Sequence, residues 1–397
     1  MITQLKNIAQ VFTGTTPPTN EQRYYESEDI EWFSPGDIMS DNINIKESNR
    51  KISKLYFQEK NFHPFPQESV LMVGIGATVG KVAYSDSACW SNQQINVIVF
   101  DKKKILPKFG AYQMLNKGRE ISKKTPVVTL QIFNQSKVRQ IELWVPSLET
   151  QQRIITYLDT KLSEISHQVS LLISKRDAYL RLKKSIINHV VTHGLNPNVK
   201  MKDSGIEWIG EVPEHWESCR FKDFLKLCTK SSNSIRKIGL ENIESGTGQL
   251  IETSSEFEGN GIAFKKGSIV YGKLRPYLQK VWMAEFSGNA VGDFSVFNTQ
   301  KNAMPSYIKY VMLSDVFTKE ADSSTAGAKM PRVSSEFILS LHYCIPPLPE
   351  QRSIATYLDD KCAKIDTIVS NLDKQISRYG DLKRALIDEV ITGKRAV

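Results

Sequence analysis

The stretch VPSLETQQRIITYLD at 145–159 returns as IPPLPEQRSIATYLD at 345–359, 200 residues later and without a gap. The likeness runs on through Lys161/Lys361, Tyr179/Tyr379, Ile187/Ile387 and Val190/Val390. Apolar positions within the first copy, Leu158, Leu162, Ile165, Val169, Leu172 and Tyr179, alternate between steps of four and three, broken only at Arg176. The second copy repeats the stripe at Leu358, Cys362, Ile365, Val369, Leu372, Ile376 and Tyr379. Such spacing is a heptad seam and predicts one long helix per copy, each about 60 Å long at 1.5 Å per residue. A helix of that length cannot bury its stripe alone, so the two copies are expected to pack on each other, antiparallel if their flanks also repeat. Pro146 and Pro346 mark the starts, and His193-Gly194 and Gly393 the ends.

The flanks do repeat. SVLMVGIGATVGKV (69–82) aligns on SIVYGKLRPYLQKV (268–281), and LPKFGAYQML (106–115) on MPSYIKYVML (304–313), at offsets of 199 and 198. Short β-rich runs such as SVLMV, INVIVF, GSIVYG and DFSVF, with helical stretches near 107–118 and 305–320, predict a mixed α+β domain before each helix. The boundaries expected are 1–147 and 197–345 for the domains and 148–196 and 346–397 for the helical segments.

VGIGATVGKV (73–82) has the look of a nucleotide loop, yet both nucleotide readings fail on spacing. A P-loop would need glycine at Ile75 and a hydroxyl at Val82, and the dinucleotide fingerprint would need glycine at Val79. The repeat sets Gly74, Gly76 and Gly80 opposite Lys273, Arg275 and Gln279, and a glycine phosphate cradle would not accept those side chains. The element is then a surface hairpin or loop, its glycines serving either as turn residues or to let the backbone approach DNA. KLRPYLQK favours DNA, since basic residues interleaved with an aromatic suit phosphates and base edges. Lysine and arginine number 52 against 43 acidic residues, a net charge of +9 that attracts a polyanion. The candidate DNA-facing residues are Gly74, Gly76, Thr78 and Lys81 in the first copy, and Tyr271, Lys273, Arg275, Tyr277 and Lys280 in the second. Two further basic loops, ISKKTPVVT and AGAKMPRVSS, add Lys123, Lys124, Thr125, Lys329 and Arg332, which as single residues read equally well as solvated charges.

Motifs for chemistry are missing. There is no [DNS]-P-P-[YFW], no E-x-K and no H-E-x-x-H, and the five cysteines are never spaced C-x-x-C. His189 and His193 have helical metal-ligand spacing, but the second copy carries Glu389 and Gly393 there. The expectation is a noncatalytic chain with no metal. No apolar run is long enough to cross a membrane, which favours a cytoplasmic protein.

Along the chain, GATVGKVAY (76–84), DSGIEWIGEVPEHWE (203–217), GKLRPYLQK (272–280) and PPLPEQRSIATYLD (346–359) resemble in type and order the DNA specificity subunits of type I restriction-modification systems, over essentially the whole chain. The resemblance implies an α+β fold of two pseudo-symmetric mixed α/β target recognition domains joined by two long antiparallel coiled-coil helices. Each domain would read one half of a bipartite, asymmetric site on double-stranded DNA, and the helices would set the spacing. It further implies docking of two methyltransferase subunits, which hold S-adenosylmethionine, and of restriction and translocation subunits. Gln151 and Gln351, at the helix starts, would meet those partners, and this chain would bind no cofactor itself.

Overall fold

The computed structural model describes residues 1–27, 29–39, 43–124, 132–232, 234, 236–253, 257–325 and 330–397. The chain divides into two compact units, Met1–Leu172 with Lys374–Val397, and Ile173–Asp373. The first long helix is Leu148–His193 and the second Leu348–Ile391, so each unit holds a stretch of both. Gly194 and Gly393 follow the helix ends with φ of +73°, a backbone state that favours glycine.

In the first unit five strands form one sheet in the order Ala9–Thr13, Ile95–Phe100, Ser69–Val73, Val82–Ser85 and Asn44–Ile45, antiparallel except for the last pair. The runs SVLMV and INVIVF are apolar without alternation because both faces of their sheet are covered. Val70, Met72 and Ile98 join Phe109, Tyr112 and Met114 of helix Pro107–Lys124 in one core. Leu71, Val73 and Val97 join Trp32, Phe33 and Trp90 of the three-stranded sheet Lys51–Ile52, Ile30–Phe33 and Cys89–Ser91 in another.

The second unit repeats the plan. Its four-stranded sheet runs Leu225–Cys228, Phe294–Thr299, Ile269–Gly272 and Val281–Met283, all antiparallel. Ile269, Tyr271 and Phe297 face the helical side, while Val270, Trp282 and Val296 face a smaller sheet around Gly261–Phe264 and Gly288–Ala290. Met72 pairs with Val82 and Tyr271 with Val281, the same register after the offset of 199. The helix expected near 305–320 is broken in two, Pro305–Leu313 and Asp315–Ser323, because Ser314 caps the second piece by accepting the Phe317 N–H.

The seam forms as the heptads predict. In the first unit Leu158, Leu162 and Ile165 share a core with Leu386, Ile387 and Val390, and in the second Ile187, Val190 and Val191 share one with Ile354, Leu358 and Cys362. Towards the helix middles Ile365 and Leu372 are buried and Val169, Leu172, Tyr179, Val369 and Tyr379 half-buried. Arg176, where the apolar stripe breaks, reaches Asp373 at 3.3 Å, and one heptad on Lys183 donates to both oxygens of Asp366 at 2.7 and 2.8 Å. Numbers that rise on one helix fall on the other, so the segments run antiparallel in this unit.

Gly380 sits inside the second long helix with open space where a Cβ would stand and without positive φ. Gly380→Ala is expected to stabilise the chain by about 0.5–1 kcal/mol through helix propensity and a less free unfolded chain. A thermal midpoint that stays put or falls would contradict this.

The segment DSGIEWIGEVPEHWE (203–217) is held by its two tryptophans and by His215. Trp216 is buried and donates from Nε1 to Glu350 at 3.3 Å, His215 Nε2 lies 2.7 Å from the other Glu350 oxygen, and Trp208 stacks on Tyr343. All five cysteines are free thiols.

Candidate nucleic-acid interface

In each domain the suspected loop, 74–81 or 273–280, joins two antiparallel strands of the main sheet. Gly76 and Gly80 have φ of +104° and +91°. Their counterparts Arg275 and Gln279, 199 positions on, have φ of +52° and +49°. The two copies therefore share one backbone path with left-handed residues at the same two places. Glycine supplies that conformation freely, whereas a non-glycine residue costs on the order of 1–2 kcal/mol there and persists only when its surroundings hold it. The three glycines of VGIGATVGKV serve this path and close packing: a Cβ on Gly74 would meet the Phe133 carbonyl at 2.5 Å, and one on Gly80 the Gly118 carbonyl at 2.3 Å.

Each loop is fastened to a second segment by the same backbone hydrogen bonds. Gly74 N–H donates to Gln94 O and Gly74 O accepts from Phe133 N–H, both at 2.8 Å. Lys273 N–H donates to Asp293 O at 2.8 Å and Lys273 O accepts from Val333 N–H at 3.2 Å. In the second copy Arg275 N–H adds a bond to Pro331 O at 2.8 Å. GKLRPYLQK and the MPRVSS end of the other basic loop, separate in sequence, thus form one surface.

On that surface Arg275 is exposed, Tyr277 is 53% exposed and Lys273 is half-buried. Arg332 stands beside them, its Nε and Nη2 both donating to one oxygen of Asp293, Oδ2, at 3.0 and 2.8 Å. The first copy offers the half-buried Gly76 and Thr78 in place of those long side chains. Lys123 is exposed, but at the end of helix Pro107–Lys124 rather than in a loop. With Lys81, Arg119, Arg384 and Lys394 it lines a cavity of about 820 Å³. Thr125, Lys329 and the Lys124 side chain lie outside the described residues.

Three expectations need correction. Tyr271 is 1% exposed, its ring edge-on to Phe317, and burial raises the pKa of its phenol, so it is core rather than a DNA contact. Lys81 and Lys280 turn inward: Lys81 Nζ donates to Ile38 O at 3.0 Å, and Lys280 Nζ to Leu240 O and Ile243 O at 2.7 Å each. Burial pulls the Lys280 pKa below its ordinary value, opposed by Glu241. These matched lysines tie neighbouring loops to the hairpin.

Gln151 and Gln351 are both 0% exposed, which removes them from any partner surface. Gln151 Oε1 accepts from Leu106 N–H at 2.8 Å, and Nε2 donates to Lys104 O and Pro146 O at 3.2 and 2.9 Å. Gln351 makes the same three bonds, with Met304 N–H at 2.8 Å and with Asn302 O and Pro346 O at 2.9 and 2.8 Å. The last residue of each TYLD adds a second tie, Asp159 accepting from Tyr112 and Asp359 from Tyr310, at 2.7 and 2.6 Å. Each domain is thereby pinned to the helix that follows it. Both ties fall inside the repeated words, which was the signal available in the sequence.

Among the described residues no group of three or more His, Cys, Asp and Glu is placed to hold a metal ion, and no helix is long and apolar enough to cross a membrane. His189 and His193 stack at 4.7 Å, and burial with the neighbouring ring lowers the pKa of His193.

Comparison with known proteins adds to this geometry. Residues 1–174 match the family model of the type I restriction modification DNA specificity domain. The MjaIX specificity subunit of a type I restriction enzyme from Methanocaldococcus jannaschii is 25% identical over a 422-residue alignment covering 100% of this chain and 93% of the relative. A chain solved in work on complex assembly and conformational transition of the type I R-M system superposes with a TM-score of 0.72 at 12% identity, covering 98% of this chain and 97% of that one. The HsdS subunit from Thermoanaerobacter tengcongensis gives 0.52 at 12% identity, covering 100% and 97%. Residues 1–174 therefore belong to the type I DNA specificity domain family, and the whole chain is similar in sequence and fold to the specificity subunits of type I restriction enzymes.

Proposed function

We propose that this chain is the noncatalytic DNA-reading subunit of a type I restriction-modification complex and recognises a bipartite, asymmetric site. The observation that carries the reading is the pair of loops built on one backbone scheme but carrying different side chains. Two readers on equal frames present unlike surfaces, one with Gly76 and Thr78, the other with Lys273, Arg275 and Tyr277, and so suit two unlike half-sites. Arginine and lysine can pair with guanine edges and phosphates, and small residues let the backbone come close. The long helices then act as the spacer and as the docking frame for two methyltransferase subunits. S-adenosylmethionine belongs to those partners, and restriction and translocation subunits join for cleavage.

The test is base-modification sequencing of genomic DNA from cells that carry this chain and its methyltransferase partner. A methylated motif of two different halves around a fixed gap is expected. A palindromic motif, or methylation independent of this chain, would overturn the reading. Binding of the assembled complex to the motif should also weaken steeply as salt rises, through release of counterions from the phosphates.

A further inference from the structure

Arg275 and Gln279 hold a conformation that glycine supplies in the other copy, so something must hold them there. For Gln279 the holder is visible. The residue is 6% exposed, and its Nε2 donates to Asp315 Oδ1 at 2.9 Å and to Thr318 Oγ1 at 3.0 Å. Asp315 is the first residue of helix Asp315–Ser323 and is itself gripped at two points from the first long helix. Asn188 Oδ1 accepts the Asp315 N–H at 2.7 Å, and Asn188 Nδ2 donates to Asp315 Oδ2 at 3.2 Å. Lys184, from the same long helix, stands 3.8 Å from Asp315 Oδ1. Long helix, short helix and loop are thus joined by one chain of hydrogen bonds ending four residues from Arg275.

In the first domain Asp388 of the second long helix meets Arg119 at 3.5 Å, but the loop residue beside that contact, Gly80, has no side chain to take it further. Gly80 takes the same backbone state with no side chain and lies directly against the Gly118 carbonyl. We propose that Gln279 is a positioning residue that couples the first long helix, through Asn188 and Asp315, to the DNA-facing loop of the second domain alone. The idea rests on the reading of 273–280 as that loop. A movement of the long helix, as when a partner docks on it, would reach Arg275 and Tyr277 by this path, so that only one half-site would respond.

Two measurements on the full chain test it. Hydrogen exchange is followed at the Arg275 and Leu278 amides, both hydrogen-bonded here, in the wild type and in Gln279→Gly and Asn188→Ala. Losing one or two hydrogen bonds of the chain is expected to speed exchange at both amides roughly tenfold in either variant. The Gly80 amide should keep its wild-type rate. If Asn188→Ala leaves the loop amides unchanged, or speeds Gly80 equally, the coupling is refuted. The second arm selects bound duplexes from a pool with a randomised segment, using the complex with its methyltransferase partner. Arg275→Ala and Gln279→Gly should each relax base preference in the same single half-site. An Arg275→Ala site identical to wild type would sink the reading of the loop as DNA-facing. An Arg275→Ala site relaxed while Gln279→Gly remains wild type would sink the positioning role instead.

Discussion

Gln351→Leu is expected to lower the stability of the second unit by about 3–5 kcal/mol. The substitution keeps the volume roughly constant but strips partners from the Met304 N–H and from the Asn302 and Pro346 carbonyls, all bonded to a side chain with no exposure. Each buried polar group left unpaired costs about 1–3 kcal/mol. For a body of about 200 residues the loss corresponds to a fall in thermal midpoint of roughly 10 °C. Gln351→Glu sharpens the test. It preserves the acceptor for Met304 but replaces the amide donor with an oxygen facing two carbonyls, so its stability should recover partly in acid, where the carboxyl can donate a proton. A partner-docking glutamine would behave otherwise, with the isolated chain unchanged in melting and assembly alone impaired. Gln151→Leu should act alike on the first unit, because its three bonds are the same.

Removal of Asp366 should have the next largest effect. Its carboxylate holds Lys183, whose side chain is 8% exposed at a seam position where the heptads call for an apolar residue. Asp366→Ala leaves an ammonium in a dry seam with no counter-charge and is expected to cost about 1–3 kcal/mol, less than for a fully buried pair because Asp366 is itself partly open to water. Lys183→Leu with Asp366→Leu should return the stability to within about 1 kcal/mol of wild type or above it, since an apolar pair avoids the desolvation of two charges. A double-mutant cycle in urea measures the coupling, and singles whose effects simply add would show that the two groups ignore each other. With Arg176 and Asp373 one heptad away, the pair also fixes which residues of the two helices face each other, a role polar seam residues take at the expense of stability.

What the sequence made legible was whatever two periodicities could carry. The 3.5-residue seam placed both long helices, although the segments expected at 148–196 and 346–397 end as helix at His193 and Ile391, and the offset of 199 aligned the strands and the hairpin in register. The left-handed positions were visible only where glycine filled them: nothing in the letters of Arg275 or Gln279 announces a positive φ. The glutamines were misread because their partner role rested on the resemblance alone, while their burial depends on carbonyls more than 40 residues upstream. Tyr271 was within reach, since alternation from Ile269 already places it on a core face. Lys81 and Lys280 were not, because the carbonyls they bind, of Ile38 and of Leu240 and Ile243, lie some 40 residues upstream and only the folded chain brings them to the hairpin.

The composition of the first unit carries a consequence for synthesis. Its core is closed by Leu386, Ile387, Val390 and Ile391, and Gln113 donates to the Ile391 carbonyl at 2.8 Å. Those residues leave the ribosome roughly 200 residues after the rest of the unit, a delay of about 10–40 s at ordinary elongation rates. Throughout that interval the nascent first domain must expose the stripe from Leu158 to Ile165 that the second helix will cover, so the first domain to be made is the last to be finished.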